Sequence, residues 1–377
     1  MRIAAALSIG AVLIGSMVGA THLWAKDSPY AKLDMAPEKK GPYTDAIDIR
    51  KLCGSKPVRV ALSDGFFANS WRKTTLAELK DEASKCPTIT EVIHTDGQGS
   101  AQKQIADIEG LAAQHVDIIL VFPDFGPALI KAMRDATAAG SIVVPYDTGL
   151  NFPGERLKDY LVAITEDQRS KAAAEATWAT EALGGKGNVL EFGGIAGNPV
   201  TLEMKKGWNS VFDQHPDIKV LEGGPVYVNW DPAETQRVTA GLLAKYPQID
   251  ATLNDLGQGT TAALRAFQTA GRPLTLAVSE DVNSLGCLWQ ELHAANPNFN
   301  VITVSSGTWM VRNALRKALA AAEGLDNTEP SIISMIKYED STSKDPKLAP
   351  HCDKSLPPDA NISAQLSAEQ LKALFGK

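Results

Sequence analysis

Side chains able to hold a polar ligand collect at a few short junctions of this chain. The stretch "GFFANSWRKT" (Gly65–Thr74) places Phe66, Phe67, Asn69, Trp71 and Arg72 directly after the strand-like run "VRVALS". Further along, "VFPDFG" supplies Asp124, "VPYDTG" supplies Asp147 and Thr148, and "NWDPAE" supplies Trp230 and Asp231. "LNDLG" adds Asn254 and Asp255, "VSEDVN" adds Glu280 and Asp281, and "VITVSS" ends in Ser305 and Ser306. Carboxylates, amides and aromatics in one place suit a polyhydroxyl ligand. Each hydroxyl both donates and accepts, charged acceptors strengthen those bonds, and an aromatic face lies well on the C–H surface of a sugar ring. The plainer reading of Asp231 and Asp281 is as caps of the helices that follow them.

No catalytic set emerges. The six histidines (His22, His94, His115, His215, His293 and His351) are scattered, and none is spaced with a glutamate as in a zinc protease. His351 beside Cys352 has no second Cys/His pair to complete a metal site. No G-x-S-x-G elbow is present. "EFGGIAGNP" (191–199) opens a helix after a strand but lacks the G-x-G-x-x-G spacing and the lysine of a phosphate loop. Its free N–H groups, with Asn198, still suit a hydroxyl or carboxylate. The expectation is binding without catalysis, cofactor or metal.

The 377 residues exceed one ordinary core and imply two or three domains. A net charge of −7 excludes the basic face that nucleic acid requires. The start, "MRIAAALSIGAVLIGSMVGATHLWA", has Arg2, an apolar run from Ile3 to Val18 and small residues around Ala20. That is the layout of a secretory signal peptide over 1–25, cut after Ala20 or Ala25, and it predicts export to the periplasm.

From Pro57 onward the chain alternates apolar strand runs with helical patterns. Nine strand candidates lie at 58–63, 88–94, 116–122, 141–146, 187–192, 218–228, 249–254, 273–279 and 300–306. Between them, Ile105, Ile108, Leu111 and Ala112 keep the helical period, and 169–183 is alanine-rich enough to predict close helix-on-sheet packing. Near-continuous apolar strands between helices predict parallel sheets covered on both faces. The units restart at "GKGNVLEFGG", so the expected fold class is α/β with two doubly wound lobes. Ligands of such sheets sit at the carboxyl ends of the strands, where the junctions above lie. Residues 26–55 and 341–377 fall outside the pattern and read as surface wraps. Four cysteines allow three pairings. Cys53 and Cys86 precede adjacent strands, so Cys53–Cys86 is preferred, leaving Cys287–Cys352 to pin the tail.

Over about residues 56–340 the sequence resembles the periplasmic substrate-binding proteins of sugar ABC transporters, the ribose- and galactose-binding type. "SAQKQIADIEGLAAQHVDIILVFPDFGPALIKAMRDATAAGSIVVPYDTG", "GKGNVLEFGGIAGNPVTLEMKKGWNSVFDQHPDIKV" and "QIDATLNDLGQGTTAALRAFQTAGR" carry it by order and spacing. The resemblance implies two lobes joined by a three-crossover hinge: 45–164 with 306–330, and 165–305 with 331–340, followed by a tail, 341–377, packed on the surface. It implies a monomer that closes on a sugar or polyol and delivers it to a membrane ABC permease, or alternatively a sensor or chemotaxis partner of the same fold. Phe66 and Phe67 match the family's paired aromatics, Asp147 its sugar-binding aspartate, Trp230 its stacking aromatic and Asn254 its asparagine. Glu280 or Asp281 falls near another sugar-binding aspartate. Ligand stacking is expected between Phe67 and Trp230. The departures are Thr148 where an arginine often stands, Leu202 beside Glu203 at a second arginine position, and Phe122 where ribose binders carry asparagine. Arg72 offers a bidentate donor from another side, and a galactofuranose-binding subgroup has a similar Trp-Arg pair. The alternative for Trp71-Arg72 is packing against the neighbouring unit.

Overall fold

A computed structural model describes residues 28–376; the expected leader, 1–25, lies outside the described residues. A short strand, β1 (Lys40–Gly41), precedes a first α/β unit. That unit runs β2 (Val58–Asp64), α1 (Ser70–Ala83), β3 (Ile89–Asp96), α2 (Ala101–Ala113), β4 (Ile118–Val121), α3 (Ile130–Ala138) and β5 (Ile142–Pro145). Its strands form a parallel sheet in the order β3-β2-β4-β5. Alternate residues of β2 serve opposite faces, Val60 and Leu62 joining one core cluster and Ala61 another. Burial on both faces is why the strand reads as an unbroken apolar run.

The second unit begins at β6 (Thr165–Glu166) and α4 (Gln168–Ala182). It continues through β7 (Gly187–Gly193), α5 (Pro199–Phe212), β8 (Ile218–Val220), β9 (Val226–Tyr227), α6 (Pro232–Lys245) and β10 (Ala251–Asn254). Then come α7 (Gly257–Thr269), β11 (Leu276–Glu280), α8 (Asn283–Leu292) and β12 (Val301–Val304). The chain then crosses to the first sheet, where α9 (Met310–Ala322) packs on β4, β5 and α1. It returns through β13 (Ile332–Ile333) to β14 (Lys337–Asp340), and a last helix, α10 (Ala368–Phe375), lies against α1. The second sheet runs β14-β12-β11-β10-β7-β8 with β9 on β7, and β14 is antiparallel to β12. The molecule is therefore α/β with two parallel-sheet lobes, and a small β1-β13-β6 sheet lies at the crossovers.

Each of the nine expected strand regions contains a strand, although 218–228 divides into β8 and β9 around Glu222, whose φ is 59°. The alanine-rich α4 makes its closest packing on α5 and not, as expected, on the sheet. A Cβ on Gly207 would lie 2.6 Å from Ala172 Cβ and 2.4 Å from the Arg169 carbonyl oxygen, so only glycine lets the two helices approach this closely. Two segments read as surface wraps reach inward. Met35, Tyr43, Ile49 and Leu52 are buried in the main core, and Leu356, Ala360, Leu366 and Leu371 make a small core of their own. The preferred disulfides are both formed, Cys53–Cys86 with Cα atoms 5.2 Å apart and Cys287–Cys352 with 4.4 Å.

The C-terminal tail joins both lobes. Cys352 fixes it to α8, the Ser363 N–H and hydroxyl donate to the Asp281 carboxylate, and the Gln365 N–H donates to Glu78 on α1 at 2.6 Å. All of α9 from Met310 to Ala321 is buried, including Arg312, Arg316 and Lys317. Such cations persist only when held. Arg312 bonds Glu78, Asp81 and Glu82, Arg316 bonds Glu82 and Glu329, and Lys317 donates to the carbonyls of Met35, Asn327 and Glu329.

Candidate functional site

The carboxyl ends of the two main sheets face each other, and the lobes meet there. The Asn69 side-chain amide donates to the Trp230 carbonyl at 3.4 Å, and the Asn198 amide donates to the Asp124 carbonyl at 3.2 Å. Between these contacts lies a small cavity of about 30 Å³, lined by Asn69, Trp71, Arg72, Phe122, Asp147, Val200, Trp230, Asp255, Leu256 and Glu280.

On the first-lobe side Arg72 projects from the opening turn of α1, whose N-cap is Asn69. Its guanidinium donates to Asp64 at 2.9 Å and Asp124 at 2.7 Å, and lies 3.4 Å from the centre of the Phe122 ring. Burial works against this charge, but Asp124 and Asp64 outweigh it and hold the Arg72 pKa above its ordinary value. The same burial lifts Asp124 to about 6 despite Arg72. Gly65 is required by close approach, since a Cβ there would lie 2.7 Å from Asp124 Cβ. The Trp71 indole stands edge-on to Phe122, with centroids 5.6 Å apart, and donates to the Ser306 carbonyl at 2.7 Å.

Backbone strain marks the other walls. Asp147, Asn229 and Trp230 have φ of 50°, 53° and 51°, left-handed values that are costly for side-chain-bearing residues and cluster at functional sites. The Trp230 ring fits because Gly194 lies beneath it: a Cβ there would come within 2.1 Å of the indole. Trp230 lies beside the Asp255 carboxylate and favours its charged form, and Thr201 donates to Asp255 Oδ2 at 3.4 Å. Asp255 Oδ1 is buried without a partner, and burial raises this acid to about 6. Asp147 accepts from Gln168 at 3.0 Å and is pushed to about 7 by burial and then by Glu166. Lys171 reaches from α4 to Glu166 at 3.1 Å and Glu280 at 2.9 Å. Burial keeps Glu280 well above the usual carboxylate range even so. Tyr146 OH, Gln168 Oε1 and Glu166 Oε1 also lack partners. A buried polar atom left unpaired costs about 1–3 kcal/mol, and of these four Asp255 Oδ1 is the one on a residue that lines the cavity, where another molecule can meet it.

Seven of the residues chosen from sequence line the cavity: Asn69, Trp71, Arg72, Asp147, Trp230, Asp255 and Glu280. The others lie elsewhere. Phe67 rests on His94, with centroids 4.1 Å apart, and Phe66 is half-buried beside it; Phe122, not Phe67, is the aromatic facing Trp230, at 6.3 Å. Asp124 supports Arg72 and the Gly65 N–H from below. Thr148 Oγ1 donates to the Gly149 carbonyl, Asn198 and Asp231 cap α5 and α6, and Asn254 accepts the Leu256 N–H. Glu203 pairs with Arg169 and Lys206 at 2.7 Å and 2.6 Å. Asp281 and Ser305 bond Ser363 of the tail, not the cavity. Sequence reasoning missed Asp64, Glu166 and Lys171 as partners in the site and Val200 and Leu256 in its lining. Asp64 was within reach, as the last residue of a strand whose neighbours were already chosen.

The family profile described as "Periplasmic binding protein domain" matches residues 60–326. The chain belongs to the periplasmic binding protein domain family. Its similarity to curated relatives is moderate. It is 27% identical over 186 residues to the xylitol-binding protein of Mycolicibacterium smegmatis, covering 48% of this chain and 50% of that one. It is 26% identical over 166 residues to the galactofuranose-binding protein YtfQ of Escherichia coli, covering 44% and 51%. The matches thus span about half the length of these two relatives. Among solved structures, an ABC transporter solute binding protein from Thermobispora bispora superposes with a TM-score of 0.69 at 24% identity, over 84% of this chain and 94% of that one. That likeness establishes the shared periplasmic-binding-protein fold.

Proposed function

We propose that this periplasmic binding protein holds a sugar or related polyol between its lobes and delivers it to an ABC-type permease, acting as a monomer in the periplasm and transforming nothing. The observation that carries the reading is the convergence of unpaired buried acceptors with an aromatic wall. Asp255 Oδ1 and the partly used Asp147 carboxylate face the same cavity as Trp230, Phe122 and Trp71. Hydroxyls of a polyol satisfy such acceptors, and its C–H faces lie against the rings. The printed names of relatives, xylitol-binding and galactofuranose-binding, support the same ligand class. Contacts from both lobes favour the closed arrangement over an open one, which is how a ligand drives hinge closure. Several charge-assisted bonds and buried ring faces support affinity of roughly nM to µM, about 8–12 kcal/mol.

The test is a thermal-shift screen of the mature protein against xylitol, D-ribose, D-galactose and myo-inositol, with amino acids as a contrasting set. At least one sugar or polyol is expected to raise the melting temperature. Stabilisation by amino acids alone would remove the sugar reading.

A further inference from the structure

We infer that the cleft selects by charge, admitting neutral and amino-substituted polyols and rejecting sugars that carry a carboxylate or phosphate. The inference rests on the sugar-binding reading above and narrows its ligand class. Asp147, Asp255 and Glu280 line the cavity, against a single lining cation, Arg72. That cation is already spent, with Asp64 and Asp124 each within 2.9 Å of the guanidinium and the Phe122 ring beneath it. The second buried cation, Lys171, is likewise held between Glu166 and Glu280. Arg169, at the start of α4, is bound by Glu203. Six buried carboxylates (Asp64, Asp124, Asp147, Glu166, Asp255 and Glu280) therefore surround two buried cations.

An anionic ligand entering this set finds no unspent positive charge to receive it. Near neutral pH it meets an ionised Asp255 and a partly ionised Asp147 in a poorly screened interior, where like charges repel far more strongly than in water. Its desolvation is then uncompensated. A hydroxyl has no such cost, because it donates to the carboxylates. An ammonium group gains further, donating to Asp255 Oδ1, which has no hydrogen-bond partner. Exclusion by repulsion is an ordinary route to specificity.

The experiment is titration calorimetry on the mature protein near neutral pH, with matched probes. D-galactose, D-ribose and xylitol are compared with D-galacturonate, D-ribose 5-phosphate and xylonate. D-galactosamine serves as the cation, and D-galacturonamide as an uncharged mimic of the uronate. For each parent that binds, the anion is expected at least ~100-fold weaker, with the amino sugar and the uronamide within ~10-fold of the parent. An anion within ~10-fold of its parent would overturn charge selection while leaving the sugar reading intact. A uronamide as weak as the uronate would also overturn it, because shape would then be the cause. Binding by none of the probes strikes down the sugar reading and this inference with it. Asp255→Asn, with Asp147→Asn as a second variant, is expected to narrow the gap between parent and anion by ~10-fold. A gap that stays the same in both variants removes these carboxylates as its cause.

Discussion

Two buried clusters of charge, one where α9 packs on the first lobe and one at the cleft between the lobes, differ in how completely they are paired. Where α9, α1 and the tail meet, Arg312 is gripped by Glu78, Asp81, Glu82 and the Gln365 carbonyl, and Arg316 by Glu82, Glu329 and the Tyr43 hydroxyl. In the cleft, Arg72 is held as firmly, but Asp255 Oδ1, Tyr146 OH, Gln168 Oε1 and Glu166 Oε1 nearby have no partner. The first cluster is closed on itself and fixes helices to one another. The second is left incomplete, with strained backbone at Asp147 and Trp230 holding its members in place. Neither burial nor an unpaired atom alone marks the site in this molecule; an unpaired acceptor on a cavity wall shared with aromatic rings, as at Asp255, does.

The largest expected effect tests the closed cluster. Arg312→Ala strands the buried Glu78 without its cation, while Glu82 keeps Arg316, and should destabilise the protein by about 3–5 kcal/mol. Ligand affinity of the protein that remains folded should stay within ~2-fold. A melting temperature equal to wild type would show that the paired cluster is dispensable. A smaller effect, with two opposite signs, tests the cleft. Asp255→Asn removes a buried charge with an unpaired oxygen, so the ligand-free protein should gain about 1 kcal/mol. The same variant should bind the parent sugar at least ~1 kcal/mol more weakly. Loss of stability together with unchanged affinity would place Asp255 in the structural class.

The smallest effect is in pH. Burial raises Asp147 to about 7 and Asp124 and Asp255 to about 6, while the unfolded chain titrates near ~4. The folded state therefore holds the extra protons between these values. The stability they contribute is complete below about pH 4 and is lost as pH rises through about 6 to 7. Carboxylates lowered by their partners, such as Asp167 and Asp340, act in the opposite sense and lose their contribution only on acidification. Between about pH 5 and 8 the ligand-free melting temperature should fall by about 2 °C, and saturating sugar should flatten the slope. A rise over that range would contradict the burial of these acids.

The fold was legible because strands such as β4 and β5 are buried on both faces and so write near-continuous apolar runs, whereas the edge strand β3 is partly exposed and mixes polar residues in. The crossover strands β1, β6 and β13 have two residues each, too few to show a period. At the site, Phe122 was concealed by continuing the apolar run of β4, and Lys171 by the alanines of α4. Glu280 and Asp281 are neighbours, yet one faces the cavity while the other is turned to Ser306 and Ser363. Their order along the chain offered no way to tell which was which. Phe67 was misplaced for a similar reason: the loop after β2 has two sides, and His94 from β3 takes one of them.

The tail gives the hinge a leash. From the Cys352 anchor on α8, fifteen residues (353–367) run to α10, which lies against α1 of the first lobe. Swinging the lobes apart beyond the slack in that length must release either the grip of Ser363 on Asp281 or that of Gln365 on Glu78. Any opening of the lobes is thus limited by a segment none of whose residues lines the cavity. Shortening or lengthening it offers a way to alter how wide the jaws part without disturbing what they hold.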